Sequence, residues 1–132
     1  MIVDPKDNTV SRAIRDTGTW QPDNIHVIAH FVQKGHKVLN LGAQTGLEAL
    51  LMGQMIGEKG ELHLFEPYSV SYAILRKNVY LNHLEGITRV YQVGAGDIQT
   101  KAEILVLYEN TGGAEVYTST PPVNLGDRPH HK

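Results

Sequence analysis

At 132 residues, with 41% hydrophobic and 20% charged residues, the chain is sized for one soluble globular domain. A net charge of −2 gives no electrostatic case for nucleic acid or an acidic membrane, and the absence of cysteine excludes disulfides and thiolate metal sites. No apolar run is long enough to span a membrane and Met1–Asp7 does not read as a signal peptide, so the expected compartment is the cytoplasm.

Asp4-Pro5 opens the chain as a turn, and Asp7 or Asn8 is placed to cap a short helix running to about Asp16. Gly18 suits the left-handed position after it. Trp20 and Pro22 form a linker, with Trp20 read either as a cover for a ligand or as a pin for the first helix. A second helix is expected from about Asp23 to Lys34, with Ile25, Ile28, Ala29 and Val32 on one stripe. His26 and His30 lie one turn apart, a spacing that can chelate a metal, but no third ligand is evident and a solvated helix face is the default.

Lys37–Leu41 reads as a strand whose continuous apolar character predicts a central, parallel position. It stops at the glycine-bracketed turn Gly42–Gly46. A helix follows over Leu47–Ile56, expected to bury Leu47, Leu50, Leu51 and Met55. Glu48 falls in its first turn, where it suits the helix dipole. Such a loop lets the backbone approach a ligand closely, and the first helical turn offers unpaired N–H groups. A second strand, Glu61–Phe65, ends in Glu66, 20 positions after Gly46. An acid at that place commonly holds a ribose diol. Loop and acid together point to a nucleoside-containing cofactor. The alternative is an ordinary strand–turn–helix that binds nothing.

Spacing narrows the cofactor. The dinucleotide loop needs a middle glycine, and position 44 is Gln; the phosphate-binding loop needs Gly-Lys-Ser/Thr, which is absent. The remaining pattern, G-x-x-x-G with a distal acid, resembles the S-adenosylmethionine (SAM) loop of class I methyltransferases. Downstream, F-E-P at Phe65–Pro67, L-R-K-N-V-Y-L-N at Leu75–Asn82, V-G-A-G-D at Val93–Asp97 and N-T-G-G at Asn110–Gly113 resemble the FkbM-type family of SAM-dependent methyltransferases. The resemblance runs from about Ile14 to Val116.

It implies an α/β, Rossmann-like class I methyltransferase fold with three layers and a mostly parallel sheet, truncated to its first half. It also implies a cofactor site of Asn40, Gly42, Ala43, Gln44, Gly46, Glu66, Pro67 and Asp97 for SAM. The activity implied is methyl transfer to the hydroxyl of a small molecule or sugar. A non-catalytic, methyltransferase-like binding module is the alternative. The family has Asp where this chain has Asn40, and its K-x-D-x-E-G-like motif does not appear.

Past Glu66, a helix is expected over about Ser69–Asn82 and a third strand over about Thr88–Val93. Ala102–Tyr108 reads as a further strand, apolar on both faces; Asn110–Gly113 reads as a loop and Glu115–Thr118 as a short strand. The domain is expected to cover residues 1–119, with 120–132 a flexible tail. Half a sheet exposes an edge and an apolar face, so a second copy, making a homodimer, is expected to cover it.

Overall fold

A computed structural model describes residues 1–107 and 110–118; the expected tail lies outside the described residues, as do Tyr108 and Glu109. In chain order the elements are α1 (Val10–Thr17), α2 (Pro22–Phe31), β1 (Lys37–Leu41), α3 (Leu47–Ile56), β2 (Glu61–Phe65), α4 (Ser69–Leu81), β3 (Thr88–Tyr91), β4 (Ala102–Leu107) and β5 (Asn110–Thr118).

Strands β1, β2 and β3 form a parallel sheet in that order. Leu39 pairs with His63 and His63 with Arg89, while Leu41 pairs with Phe65 and Phe65 with Tyr91. Parallel neighbours joined in sequence take right-handed crossovers, so α3 and α4 share one face. There Ala49, Leu50, Met52 and Ile56 of α3 and Leu75 and Val79 of α4 close on Leu62 and Leu64 of β2, both fully buried. Among the described residues the opposite face is bare: Leu39 is 68% and Leu41 61% exposed. The described residues thus carry two of the three layers of a Rossmann-like α/β fold. Strands β4 and β5 pair antiparallel as a separate two-stranded sheet. No described helix is long and apolar enough to cross a membrane.

Several expectations are corrected. Strand β1 is parallel but not central, since among the described residues only β2 pairs with it. Its apolar run marks a strand built for two covered faces, of which one is covered here. The buried side of α3 is Ala49, Leu50, Met52, Gly53 and Ile56, so the expected Leu47, Leu51 and Met55 are only half-buried. That helix is apolar nearly all round, and periodicity alone cannot fix its rotation. Helix α2 ends at Phe31, short of Lys34, because Val32 is extended and the Gly35 N–H reaches back to the Ile56 carbonyl at 2.8 Å. Ile28 and Val32 pack against the core, but Ala29 is exposed. Strand β3 stops at Tyr91, two residues early. The expected loop Asn110–Gly113 is the start of β5.

The start of the chain is fixed by two buried side chains. Asp7 accepts from the N–H groups of Thr9 (3.1 Å) and Ser11 (2.6 Å), which organises the turn into α1. Burial alone would raise its carboxyl pKa, but the bonds from Thr9 and Ser11 outweigh that and hold it below the ordinary value. Asn78, fully buried on α4, accepts from the Ile2 N–H at 2.6 Å and donates to the carbonyls of Ile2 and Thr45, each at 2.7 Å. The beginning of the chain and the β1–α3 loop are therefore held by one amide.

Candidate functional site

The site forms where β1 and β2 end. The chain leaves Leu41 through Gly42, at φ 77°, and the N–H groups of Gly42 and Ala43 both donate to the Phe65 carbonyl, at 2.9 and 3.1 Å. This binds the loop to the tip of β2. Gln44 then adopts φ 49°, a left-handed backbone uncommon for a residue with a side chain. Its N–H donates to Oε2 of Glu66 at 2.8 Å. Gly46, at φ 103°, starts α3 where a Cβ would fall 2.7 Å from Cδ1 of Leu75. Both the conformation and the space require glycine there.

Glu66 is 5% exposed. Its Oε1 accepts from the Tyr68 N–H at 2.8 Å, so the carboxylate bridges two loops. Burial raises its pKa above the ordinary carboxylate value, offset in part by the two backbone donors. Both oxygens face backbone N–H groups in the protein alone, yet each has a second lone pair to offer a ligand hydroxyl.

The sequence-predicted residues fall around two cavities. Gly42, Ala43, Gln44 and Gly46 line a small one of about 90 Å³, with Trp20, Gln21 and Glu48. Pro67 and Asp97 line a larger one of about 750 Å³, with Leu39, Leu41, Phe65 and the stretch 92–100. Glu66 lines neither but ties Gln44 of the first to the Pro67-Tyr68 turn beside the second. Asn40 lines neither cavity. It is 9% exposed on the helix-covered side of β1, and its Nδ2 has no hydrogen-bond partner among the described residues.

Sequence reading missed that Leu39, Leu41 and Phe65 floor the larger cavity; their alternation with buried Asn40 and Leu64 was the available signal. It also missed that Glu66 is held by main-chain donors, which no side-chain pattern encodes. Trp20 borders the loop cavity. Glu48, in the first turn of α3, accepts from Asn24 of α2 at 3.1 Å. Tyr68 is half-buried, with its N–H engaged by Glu66. Asn82 donates to the Asn78 carbonyl at 2.7 Å, a local structural role. Among the described residues no three His, Asp or Glu side chains are grouped so as to hold a metal ion.

A parallel sheet in this order, a glycine-bracketed loop after the first strand and an acid at the tip of the second define the class I SAM-dependent methyltransferase fold, here in part. No protein-family model and no curated protein matches the sequence. Solved structures do match the fold. A SAM-dependent methyltransferase from Aquifex aeolicus superposes with TM-score 0.54 and 16% identity, over 76% of this chain and 53% of that one. A SAM-dependent O-methyltransferase from Thermotoga maritima gives 0.53 and 13%, over 61% and 32%. A protein-L-isoaspartate O-methyltransferase gives 0.52 and 27%, over 58% and 24%. The chain thus spans about half or less of each of these structures.

Proposed function

We propose that this chain is the SAM-binding portion of an FkbM-type methyltransferase that acts on a hydroxyl of a small molecule or sugar. The observation that carries this reading is the Glu66 carboxylate, fixed at the tip of β2 between the Gly42–Gly46 loop and a cavity of about 750 Å³. A cavity of that size suits a nucleoside-sized ligand, whereas the 90 Å³ loop cavity alone does not. The names of the three structural neighbours support methyl transfer, and two of them name an oxygen acceptor.

In this reading the spare lone pairs of Glu66 accept from the ribose hydroxyls. Pro67 and the small residues before Asp97 flank the adenine, and Asp97 accepts from its amino group. The Gly42–Gly46 loop and Asn40 hold the amino-acid end. When bound, SAM supplies a methyl group on a sulfonium. The chain's own part is to fix the cofactor and keep water from it; alignment of donor and acceptor accounts for much of such catalysis. Calorimetric titration with S-adenosylhomocysteine tests the reading, with Glu66→Ala alongside. Binding that is lost in the variant supports it; no binding to the folded wild type refutes it.

A second reading, a non-catalytic binding module, is favoured by the bare sheet face and by the amide at position 40. Turnover with a hydroxyl acceptor separates the two. In this second reading, where no cofactor fills the cavity over Leu39 and Leu41, a second copy is the proposed cover for the bare face.

A further inference from the structure

The direction of the main-chain groups along β1 follows from its two ends. The His36 carbonyl accepts from the Glu61 N–H at 3.1 Å, and the Gly42 N–H donates to the Phe65 carbonyl at 2.9 Å. In a parallel ladder the residues that bond to one neighbour recur at every second position. His36, Val38, Asn40 and Gly42 therefore face β2, and Lys37, Leu39 and Leu41 turn their N–H and C=O groups the other way. Among the described residues nothing bonds to the main-chain groups of that outer row. Its three residues are exposed, whereas Asn40 between them is buried.

An unpaired row of this kind is a template for another strand, and edges are commonly blunted by shortness, charge, proline or a bulge. The opposite edge of the parallel sheet is blunted. The Leu62 N–H donates to the Ile87 carbonyl at 2.8 Å and the Glu66 N–H to the Tyr91 carbonyl at 3.0 Å. By the same alternation β3 turns only Thr88 and Val90 outward, with charged Arg89 between them. Strand β1 has five residues, an unbroken register, no proline and a single charge, at its first position.

The pattern of β1 also fits itself. Laid antiparallel to its own copy and centred on Leu39, it sets Leu39 opposite Leu39 and Lys37 opposite Leu41. All three outward residues then exchange both of their bonds, and no lysine meets a lysine. Centred on Asn40 instead, the two strands would match only Leu39 with Leu41. The two-fold arrangement about Leu39 is closed, so it ends at two chains.

We propose that the outer edge of β1 is a self-association site, at which β1 of a second copy pairs antiparallel about Leu39 and joins two parallel sheets into one. The pairing uses the edge of β1 and not its bare face, so it is independent of any ligand in the cavity over Leu39 and Leu41.

Light scattering and amide hydrogen exchange, followed by nuclear magnetic resonance on wild type and Leu39→Pro, test the proposal. Wild type should have twice the chain mass, with the amides of Lys37, Leu39 and Leu41 protected along with those of Val38 and Asn40. Proline at an outward edge position removes a donor without breaking the bonds to β2. Leu39→Pro should therefore have the mass of one chain. Its Lys37 and Leu41 amides should exchange about tenfold faster or more, while Val38 and Asn40 stay protected and show that the strand is folded. The wild-type pattern is decisive by itself should the variant not fold. A wild type of one-chain mass overturns the proposal. So does a dimer whose Lys37, Leu39 and Leu41 amides exchange freely, which is the pattern of two bare faces packed together.

Discussion

Oε2 of Glu66 and the backbone nitrogen of Gln44 lie 2.8 Å apart, joining the tip of the second strand to the turn after the first. With the Tyr68 N–H on the other oxygen, the carboxylate holds both lips of the site before any ligand arrives. Glu66→Ala leaves two backbone donors without their acceptor in a buried place. The expected cost is about 2–3 kcal/mol of stability, together with loss of S-adenosylhomocysteine binding. Urea denaturation and calorimetry on the same preparation read both. A variant as stable as wild type would mean that water replaces the carboxylate.

The same carboxylate predicts an unusual pH response. Its folded-state pKa is raised, so the folded protein takes up the proton before the unfolded chain does. Stability from this group therefore increases as pH falls from neutral through the raised value, and levels off below the ordinary glutamate value. Asp7 works in the opposite sense: its pKa is lowered, so its contribution is present above the ordinary aspartate value and is lost as pH falls below it. Subtracting the pH–stability curve of Glu66→Gln from that of wild type should leave a rise toward acid that levels off below the ordinary glutamate value, because the Asp7 loss is common to both curves and cancels. A flat difference curve would contradict the raised value.

Asn78 closes three main-chain groups at once. Asn78→Leu is expected to destabilise by about 3 kcal/mol or more, as for other broken buried networks. Asn78→Asp should be comparably severe, because a carboxylate oxygen would face the carbonyls of Ile2 and Thr45. Thermal unfolding gives the magnitude, and limited proteolysis should show cleavage within the first nine residues.

Glycine is required to different degrees at two helix boundaries. Gly46→Ala meets both a left-handed backbone and the Leu75 side chain, and should cost about 2–3 kcal/mol. Gly18→Ala, after α1 at φ 78° and ψ 0° with nothing within 4 Å of its Cβ, should cost only the conformational part, about 1–2 kcal/mol. Matched denaturation curves decide the order; equal losses would mean that Leu75 moves aside freely.

The bare face makes a prediction about assembly. If a second copy covers Leu39 and Leu41, light scattering should give twice the 14.6 kDa chain mass. The pair Leu39→Glu and Leu41→Glu should return it to one chain while leaving the covered core intact. A monomeric wild type would count against self-association.

Much of this was legible in the sequence. Strand and helix bounds for β1, α3 and β2 follow from apolar runs punctuated by glycine, and the site residues cluster where those runs end. Several things were not legible. The rotation of α3 was hidden because Leu47, Leu51 and Met55 are as apolar as the residues that are buried. The neighbours of β1 depend on which chain segments return to the sheet, which no local pattern records. The split of the expected site residues between two cavities arises from main-chain bonds at Phe65, Glu66 and Gln44, for which side-chain chemistry gives no cue.

The bridge across Glu66 has a spectroscopic consequence. An amide proton bonded to a carboxylate changes its environment when that carboxylate is protonated or turns toward a ligand. The nuclear resonances of Gln44 and Tyr68 should therefore shift together through one titration, though 24 positions separate them in the chain. Those two signals report the state of the buried acid without a label, a substrate or a mutation.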